Sequence, residues 1–108
     1  MSTTLILGVD VSKGYGDFVL VDAQKQVLEP RFRLDDNRQG HDTLKEQLLG
    51  WKKRYRAKRI LVVAESTGGY EDNWLRLVRD KALIGFAEPY RLNAKIIYHE
   101  YEAQRRSS

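Results

Sequence analysis

Two acidic residues stand at the ends of apolar segments, where they are well placed to do chemistry. Asp10 closes the mostly apolar segment 5–9, and Glu65 closes the uninterrupted apolar segment 60–64. If the two segments are neighbouring parallel strands, both acids lie at one edge of a sheet, on backbones about 4.8 Å apart. Carboxylates that close repel each other unless one is protonated or a cation lies between them. The sequence therefore predicts a metal site at Asp10 and Glu65.

Magnesium or manganese suits such a pair. Mg²⁺ commonly takes one or two carboxylates from the protein and keeps water or phosphate in its other positions. In two-metal phosphoryl transfer, ions about 3.5–4 Å apart activate the attacking oxygen and stabilise the leaving one. The competing interpretation is structural, because a lone acid after a strand is often a helix cap or a turn residue. The matching contexts of Asp10 and Glu65 favour the metal site.

The elements that must position these acids begin with three predicted strands. Residues 3–10, residues 18–21 and a stretch from Val27 to Leu34 are apolar or alternating, and short turn signals separate them. This spacing predicts an antiparallel meander. Pro30 has no N–H to donate, which makes the third strand an edge strand or a bulged one.

Helices and strands alternate in the rest of the chain. Asn37 is the predicted N-cap of an amphipathic helix, whose apolar stripe is Leu44, Leu48, Trp51 and Tyr55. Segment 60–64, apolar on both faces, is predicted to be a central strand covered on both sides. There follow a helix around 74–78, a short strand at 83–87 stopped by Pro89, and a helix marked by Leu92, Ile96, Ile97 and Tyr101. The order βββαβαβα predicts an α/β fold, a mixed five-stranded sheet with helices on its faces and with the first and fourth strands parallel.

Composition limits the class of protein. The chain has 108 residues, enough for a single domain. It has no cysteine, which excludes disulfides and thiolate zinc sites. Its formal net charge of +4 favours an anionic partner such as nucleic acid. No segment approaches the ~20 apolar residues of a membrane span, and the first residues lack a secretory signal, so we expect a cytoplasmic location.

Basic and aromatic residues give further candidates for nucleic-acid binding. Lys13 is placed either to meet a phosphate near the metal or in a solvated turn. The basic cluster at the end of the first helix is either a phosphate-backbone patch or a solvated helix end suited to the dipole; it contains Lys52, Lys53, Arg54 and Arg56. Tyr70 and Trp74 could stack on bases, but their spacing of four favours packing.

Two motifs resemble those of the DEDD-type transposases of the insertion sequence one-ten family. The first is Gly8-Val9-Asp10-Val11-Ser12-Lys13 with the later Asp17, and the second is Glu65-Ser66-Thr67-Gly68-Gly69-Tyr70. Segments 40–51 and 83–89 also resemble that family's first helix and the strand after the second motif. The resemblance covers essentially the whole chain and implies a RuvC-like ribonuclease H fold.

The resemblance also implies a set of ligands and partners. In that family four acids bind divalent metal, and Asp10 matches the first and Glu65 the second. The other two belong to a Lys-Thr-Asp-x-x-Asp-Ala type motif that this sequence does not contain. We therefore expect residues 1–108 to form one RuvC-like domain, an N-terminal fragment of a transposase, with weak Mg²⁺ or Mn²⁺ binding and no strand transfer. The implied partners are DNA ends and target, other copies of the transposase and an element-encoded RNA.

Two other functions remain open. Sugar kinases and actin-like ATPases share a related core, and segment 10–14 vaguely resembles their first phosphate loop, although their second Asp-x-Gly motif does not occur here. The chain could also be a non-catalytic assembly module. ATP binding would favour the first alternative, and dimerisation that is insensitive to Glu65→Gln would favour the second.

Overall fold

The computed structural model describes residues 3–65 and 68–92, whose elements follow the predicted order. These are β1 (Thr3–Ser12), β2 (Tyr15–Asp22), β3 (Val27–Asp35), α1 (Arg38–Arg54), β4 (Ala57–Glu65), α2 (Asp72–Leu77) and β5 (Ala87–Leu92). The strands form one sheet in the order β3-β2-β1-β4-β5. Strand β1 pairs antiparallel with β2 and parallel with β4, which in turn pairs parallel with β5. The mixed five-stranded sheet and the parallel first and fourth strands are thus confirmed.

Alternation along the strands divides the sheet into a helix-covered face and a second face. In β1, Leu5, Leu7, Val9 and Val11 are buried, whereas the alternate residues Gly8 and Asp10 are half-buried and exposed, respectively. Successive side chains of a strand point to opposite faces, so the buried set shares one face. Both described helices pack on that face: Leu44, Leu48, Trp51 and Trp74 join the same core as Phe18 and Val62.

The central position predicted for β4 is confirmed, since β4 lies between β1 and β5. On its second face, Leu61 and Val63 are half-buried. Neither α1 nor α2 covers them, because both helices lie on the other face. The predicted third helix falls outside the described residues, apart from Leu92, which belongs to β5. Neither described helix has the length and apolar composition that a membrane crossing requires.

Asn37 is the N-cap of α1, as predicted: its side-chain oxygen accepts a hydrogen bond from the Gly40 N–H at 2.8 Å. This bond satisfies one of the N–H groups that the first helical turn leaves without a partner. Gly40 is required there, because a Cβ at this position would lie 1.9 Å from the carbonyl oxygen of Asp35. The cap and the close approach together fix how α1 leaves β3.

Pro30 marks an edge strand, as predicted. Strand β3 lies at one edge of the sheet, and its register with β2 shifts twice opposite the segment that contains Pro30. Beside it, Glu29 accepts a hydrogen bond from the Tyr55 hydroxyl at 2.8 Å, which ties the end of α1 to the edge strand.

The prediction of a short strand at 83–87 was wrong. The strand is Ala87–Leu92, and residues 81–86 form turns. Leu83 and Phe86 are buried, so their apolar character reflects packing rather than extended backbone. The backbone N–H groups of Leu83 and Ile84 donate to the Asp80 carbonyl, which holds the turn. Pro89 lies inside the strand rather than ending it, because β5 is an edge strand of the described sheet and has an unpaired side that needs no N–H.

Candidate functional site

The structure brings Asp10 and Glu65 to the same end of the sheet. Val9 is aligned with Ala64 in the parallel pair of β1 and β4, and each acid is the next residue of its strand. Both acids are exposed, and both line an open cleft of about 530 Å³. The other lining residues are Gly8, Val9, Asp17, Val19, Arg31, Val63 and Leu92. The geometric part of the prediction, two acids at one edge of the sheet, is therefore confirmed.

The fold delivers these two carboxylates for a simple reason. Strands that run parallel end at the same edge of a sheet, and a period of two places alternate side chains on one face. Gly8 and Val63 precede the acids by two residues on that face and line the same cleft. The apolar residues between them, Val9 and Ala64, are buried on the helix-covered face. Core packing thus determines which face carries the acids.

A third acid, Asp17, lines this cleft, although it was not among the predicted site residues. Asp17 is paired with Asp10 across β1 and β2, and only 8% of its side chain is exposed. It accepts hydrogen bonds from Arg33 Nε at 2.9 Å and Nη2 at 3.3 Å, and from Arg31 Nη2 at 2.9 Å. The hydrogen bonds from Arg33 and then from Arg31 lower the pKa of Asp17 to about 2, against the opposing effect of burial.

The sequence did contain a signal for this group. The turn between β1 and β2 is centred on Lys13 and Gly14. In a hairpin, residues equally distant from the turn face each other, and this places Asp17 opposite Asp10. Arg31 and Arg33 are two residues apart in β3 and hence lie on one face.

Arg31 links the two aspartates. Its Nη2 lies 3.7 Å from Oδ2 of Asp10 as well as 2.9 Å from Oδ2 of Asp17. The Arg31 and Asp10 side chains are 66% and 78% exposed, and ion pairs that open to solvent hold their partners weakly. A stronger ligand can therefore separate Asp10 from Arg31 at little cost.

The loop after Glu65 is anchored by a buried carboxylate. Gly68 and Gly69 have φ angles of 76° and 104°, a left-handed conformation that glycine adopts without strain. Glu71 is 2% exposed; it accepts a hydrogen bond from the Gly69 N–H at 3.1 Å and lies 3.3 Å from Arg91 Nε. Arg91 also pairs with Asp72. The return of the chain from Glu65 is thereby tied to the end of β5.

The basic residues predicted to bind nucleic acid do not lie with the acids. Lys13 is exposed in the turn between β1 and β2, outside the residues that line the cleft. Lys52, Lys53 and Arg54 form the last turn of α1, and Arg56 follows it. Because α1 packs on the helix-covered face, this cluster and the cleft lie on opposite sides of the sheet.

Trp74 serves packing, as its spacing favoured. Its side chain is fully buried, with ring centroids 5.0 Å from Phe18 and 4.8 Å from His41. His41 in turn contacts Asp36 through Nε2 at 2.6 Å. Tyr70 differs, because it is 46% exposed.

The donor atoms of the cleft suit a hard divalent ion. Asp10 and Glu65 supply carboxylate oxygens, and Mg²⁺ accepts such a pair when water or phosphate completes its coordination. Across residues 3–65 and 68–92, the structure contains no group of three or more His, Cys, Asp or Glu side chains arranged to hold a metal. Two carboxylates alone make a weak site, and the nearby guanidinium of Arg31 opposes a second cation.

Comparison with known proteins gives a structural match. No protein-family model and no curated protein matches the chain. Among solved structures, RuvC of T. thermophilus in complex with a Holliday junction substrate matches with a TM-score of 0.54 and 14% identity, over 85% of this chain and 66% of that chain. An Aquifex aeolicus PPX-GPPA enzyme matches with a TM-score of 0.42 and 10% identity, over 84% of this chain and 36% of that chain.

The sheet order and this match define the class of protein. A sheet ordered β3-β2-β1-β4-β5 with β2 antiparallel to its neighbours, together with the similarity to RuvC, is the α/β ribonuclease H-like (RuvC-like) fold. The fold predicted from the sequence is thus confirmed. At 14% identity the similarity shows the fold alone, and the chain spans 66% of that RuvC chain's length.

Proposed function

We propose that this domain is the metal-binding catalytic domain of a DNA transposase or recombinase, of the DEDD type found in the insertion sequence one-ten family. One observation carries the proposal: Asp10 and Glu65 close neighbouring parallel strands and line one open cleft. The resemblance of the motifs around both acids and the RuvC-like fold support it.

In this proposal the two carboxylates hold Mg²⁺ or Mn²⁺ and the sheet keeps them together. Bound there, the metal would act as a Lewis acid on a phosphodiester and lower the pKa of its water. Asp10 and Glu65 would hold it, and the open cleft they line leaves room for a nucleic-acid backbone. Completing the site requires acids beyond this pair. We therefore propose weak metal binding and no strand transfer by these 108 residues alone.

The proposed partner is DNA, at the ends of a mobile element and at its target. The net charge of +4 suits a polyanion, and the RuvC structure is a complex with a branched DNA, the Holliday junction. From the family resemblance, we also propose other copies of the transposase and an element-encoded RNA as partners.

Metal titration tests this function. We expect Mn²⁺ to broaden the NMR signals of residues around Asp10 and Glu65, and Asp10→Asn or Glu65→Gln to abolish that effect. Asp42→Asn and Glu46→Gln, which neutralise exposed acids on α1, are matched controls that should change nothing. Broadening that is identical in all five proteins would contradict a metal site at this pair. ATP binding by calorimetry would instead favour the kinase-like alternative, and metal-independent dimerisation unaffected by Glu65→Gln would favour the assembly module.

A further inference from the structure

Two arginines meet one buried carboxylate at the edge of the cleft. Asp17 needs a positive partner, because a carboxylate removed from water is costly unless it is paired and hydrogen-bonded. Arg33 meets that need by itself: its Nε donates to one carboxylate oxygen and its Nη2 to the other. Arg33 is further held by Tyr15, with the guanidinium carbon 4.0 Å from the ring centroid. The charge on Asp17 is thus compensated without Arg31.

Arg31 is held differently. It donates a single hydrogen bond, from Nη2 to Asp17, and the same nitrogen lies 3.7 Å from Asp10. Its side chain is 66% exposed and lines the cleft with Asp10 and Glu65, whereas Arg33 lies outside that lining. Within the described part of the chain, the remaining N–H groups of Arg31 have no acceptor. A planar guanidinium with spare donors matches two oxygens of a phosphate group.

We propose that Arg31 binds a backbone phosphate of the DNA strand that enters the cleft beside Asp10 and Glu65. Asp17 and Arg33 act as positioning residues: Asp17 anchors one edge of the Arg31 guanidinium, and Arg33 keeps Asp17 ionised and fixed. The inference rests on the proposed function, since it places the DNA strand at the same two acids. It goes further by naming the side chain that contacts the strand.

DNA binding by four proteins tests the role of Arg31. Fluorescence anisotropy with a labelled branched DNA in Mg²⁺, at salt from about 50 to 200 mM, compares the wild type with Arg31→Ala, Arg31→Lys and Arg38→Ala. We expect Arg31→Ala to weaken binding about tenfold and to lower the salt slope by about one. Arg31→Lys keeps the charge but loses the planar fork, so its affinity should be intermediate with an unchanged slope.

Arg38→Ala is the matched control. Arg38 is exposed at the start of α1, so the substitution removes the same charge from the helix-covered side. We expect a change of about twofold or less, as for a residue that makes no phosphate contact. Circular dichroism checks whether each variant folds. If Arg31→Ala does not fold, Arg31→Lys still tests the role of the guanidinium.

A second probe separates this inference from the proposed function. A dinucleotide with one phosphodiester is titrated while the arginine Nε–Hε NMR signals are followed; we expect the Arg31 signal to shift most. If the wild type binds DNA but Arg31→Ala matches Arg38→Ala, the inference is wrong and the function stands. If the dinucleotide shifts Arg31 but DNA does not bind, the phosphate site stands and the function fails. If the dinucleotide does not shift the Arg31 signal and the wild type does not bind DNA, both the inference and the proposed function are wrong.

Discussion

Asp10 and Asp17 face each other across the antiparallel pair of β1 and β2, yet their carboxylates lie in opposite environments. The side chain of Asp10 is 78% exposed, whereas that of Asp17 is 8% exposed and accepts hydrogen bonds from Arg31 and Arg33. Asp17 is therefore paired and largely removed from solvent, whereas Asp10 stays accessible. This division lets one acid stabilise the sheet while its neighbour remains available to a ligand.

The first prediction concerns the pH dependence of stability through Asp17. Its pKa falls from an ordinary 3.8 to about 2 in the folded state. A lowered folded-state pKa means that the ionised form stabilises the fold above about pH 4, and that this contribution is lost as the pH falls to about 2. Asp17→Asn should therefore unfold at lower urea than the wild type at pH 7, and the difference should shrink between pH 4 and pH 2. Asp42→Asn, at an exposed position of α1, is the control and should show no such trend. If the stability difference between Asp17→Asn and the wild type is the same at every pH, the ionised Asp17 carboxylate does not stabilise the fold.

The second prediction compares two glycines of α1. Gly40→Ala should destabilise the protein by about 1–3 kcal/mol, because its Cβ would meet the Asp35 carbonyl oxygen at 1.9 Å and the backbone must shift. Gly50→Ala should stabilise it by about 0.5–1 kcal/mol, since alanine is the better helix former and nothing lies within 4 Å of the new methyl group. Urea unfolding measures both. Equal effects of the two changes would mean that α1 does not approach β3 as described.

The third prediction tests the buried carboxylate of Glu71. Glu71→Gln removes the charge that faces Arg91 at 3.3 Å; the Glu71 side chain is 2% exposed, whereas that of Arg91 is 51% exposed. Because Arg91 stays in contact with solvent and keeps Asp72, we expect a cost of about 1–3 kcal/mol, typical of a buried polar group that loses a charged hydrogen-bond partner. Asp72→Asn is the matched control, because it removes the charge of the other, half-exposed partner of Arg91. We expect it to lower the free energy of unfolding by about 1 kcal/mol or less. Chemical denaturation compares the two.

Glu71 should also affect the metal site. Because it binds the Gly69 N–H, its loss should loosen the turn after Glu65 and weaken Mn²⁺ binding in the NMR titration. Asp72→Asn should leave Mn²⁺ binding unchanged. If Glu71→Gln destabilises the fold but binds Mn²⁺ as the wild type does, Glu71 supports the fold without positioning Glu65.

Periodicity explains how much of this fold the sequence predicts. The alternation in β1 and the 3–4 spacing in α1 reflect burial on one face, so both elements and the Asn37 cap were predicted. Segment 83–87 was misassigned because an apolar turn and an apolar strand look alike in sequence, and Pro89 looked like a stop although an edge strand tolerates it. The pairing of the two predicted acids followed from strand order alone.

The rest of the site depends on register, which the strand prediction did not fix. Asp17, Arg31 and Arg33 meet only when three strands are aligned, and two register shifts between β2 and β3 alter that alignment. The basic cluster 52–56 is the more conspicuous feature of the sequence, but the packing of α1 places it on the opposite side of the sheet from the cleft. Residues that act together across strands are therefore harder to predict than residues at strand ends.

The last prediction concerns that basic cluster. Lys52→Gln combined with Lys53→Gln removes two exposed charges at the end of α1, on the face away from Asp10. If the cluster touches the phosphate backbone, the salt slope of DNA binding should fall by about two, and the effect should be the same with or without Mg²⁺. If it is a solvated helix end, the slope should stay unchanged. Arg31→Ala, measured in parallel, provides the contrast. Because Arg31 is proposed to bind a phosphate beside the two metal-binding acids, this substitution should weaken DNA binding mainly when metal is present. Anisotropy titrations of the three proteins over the same salt range, with Mg²⁺ and with EDTA, distinguish a second backbone contact from a solvated surface.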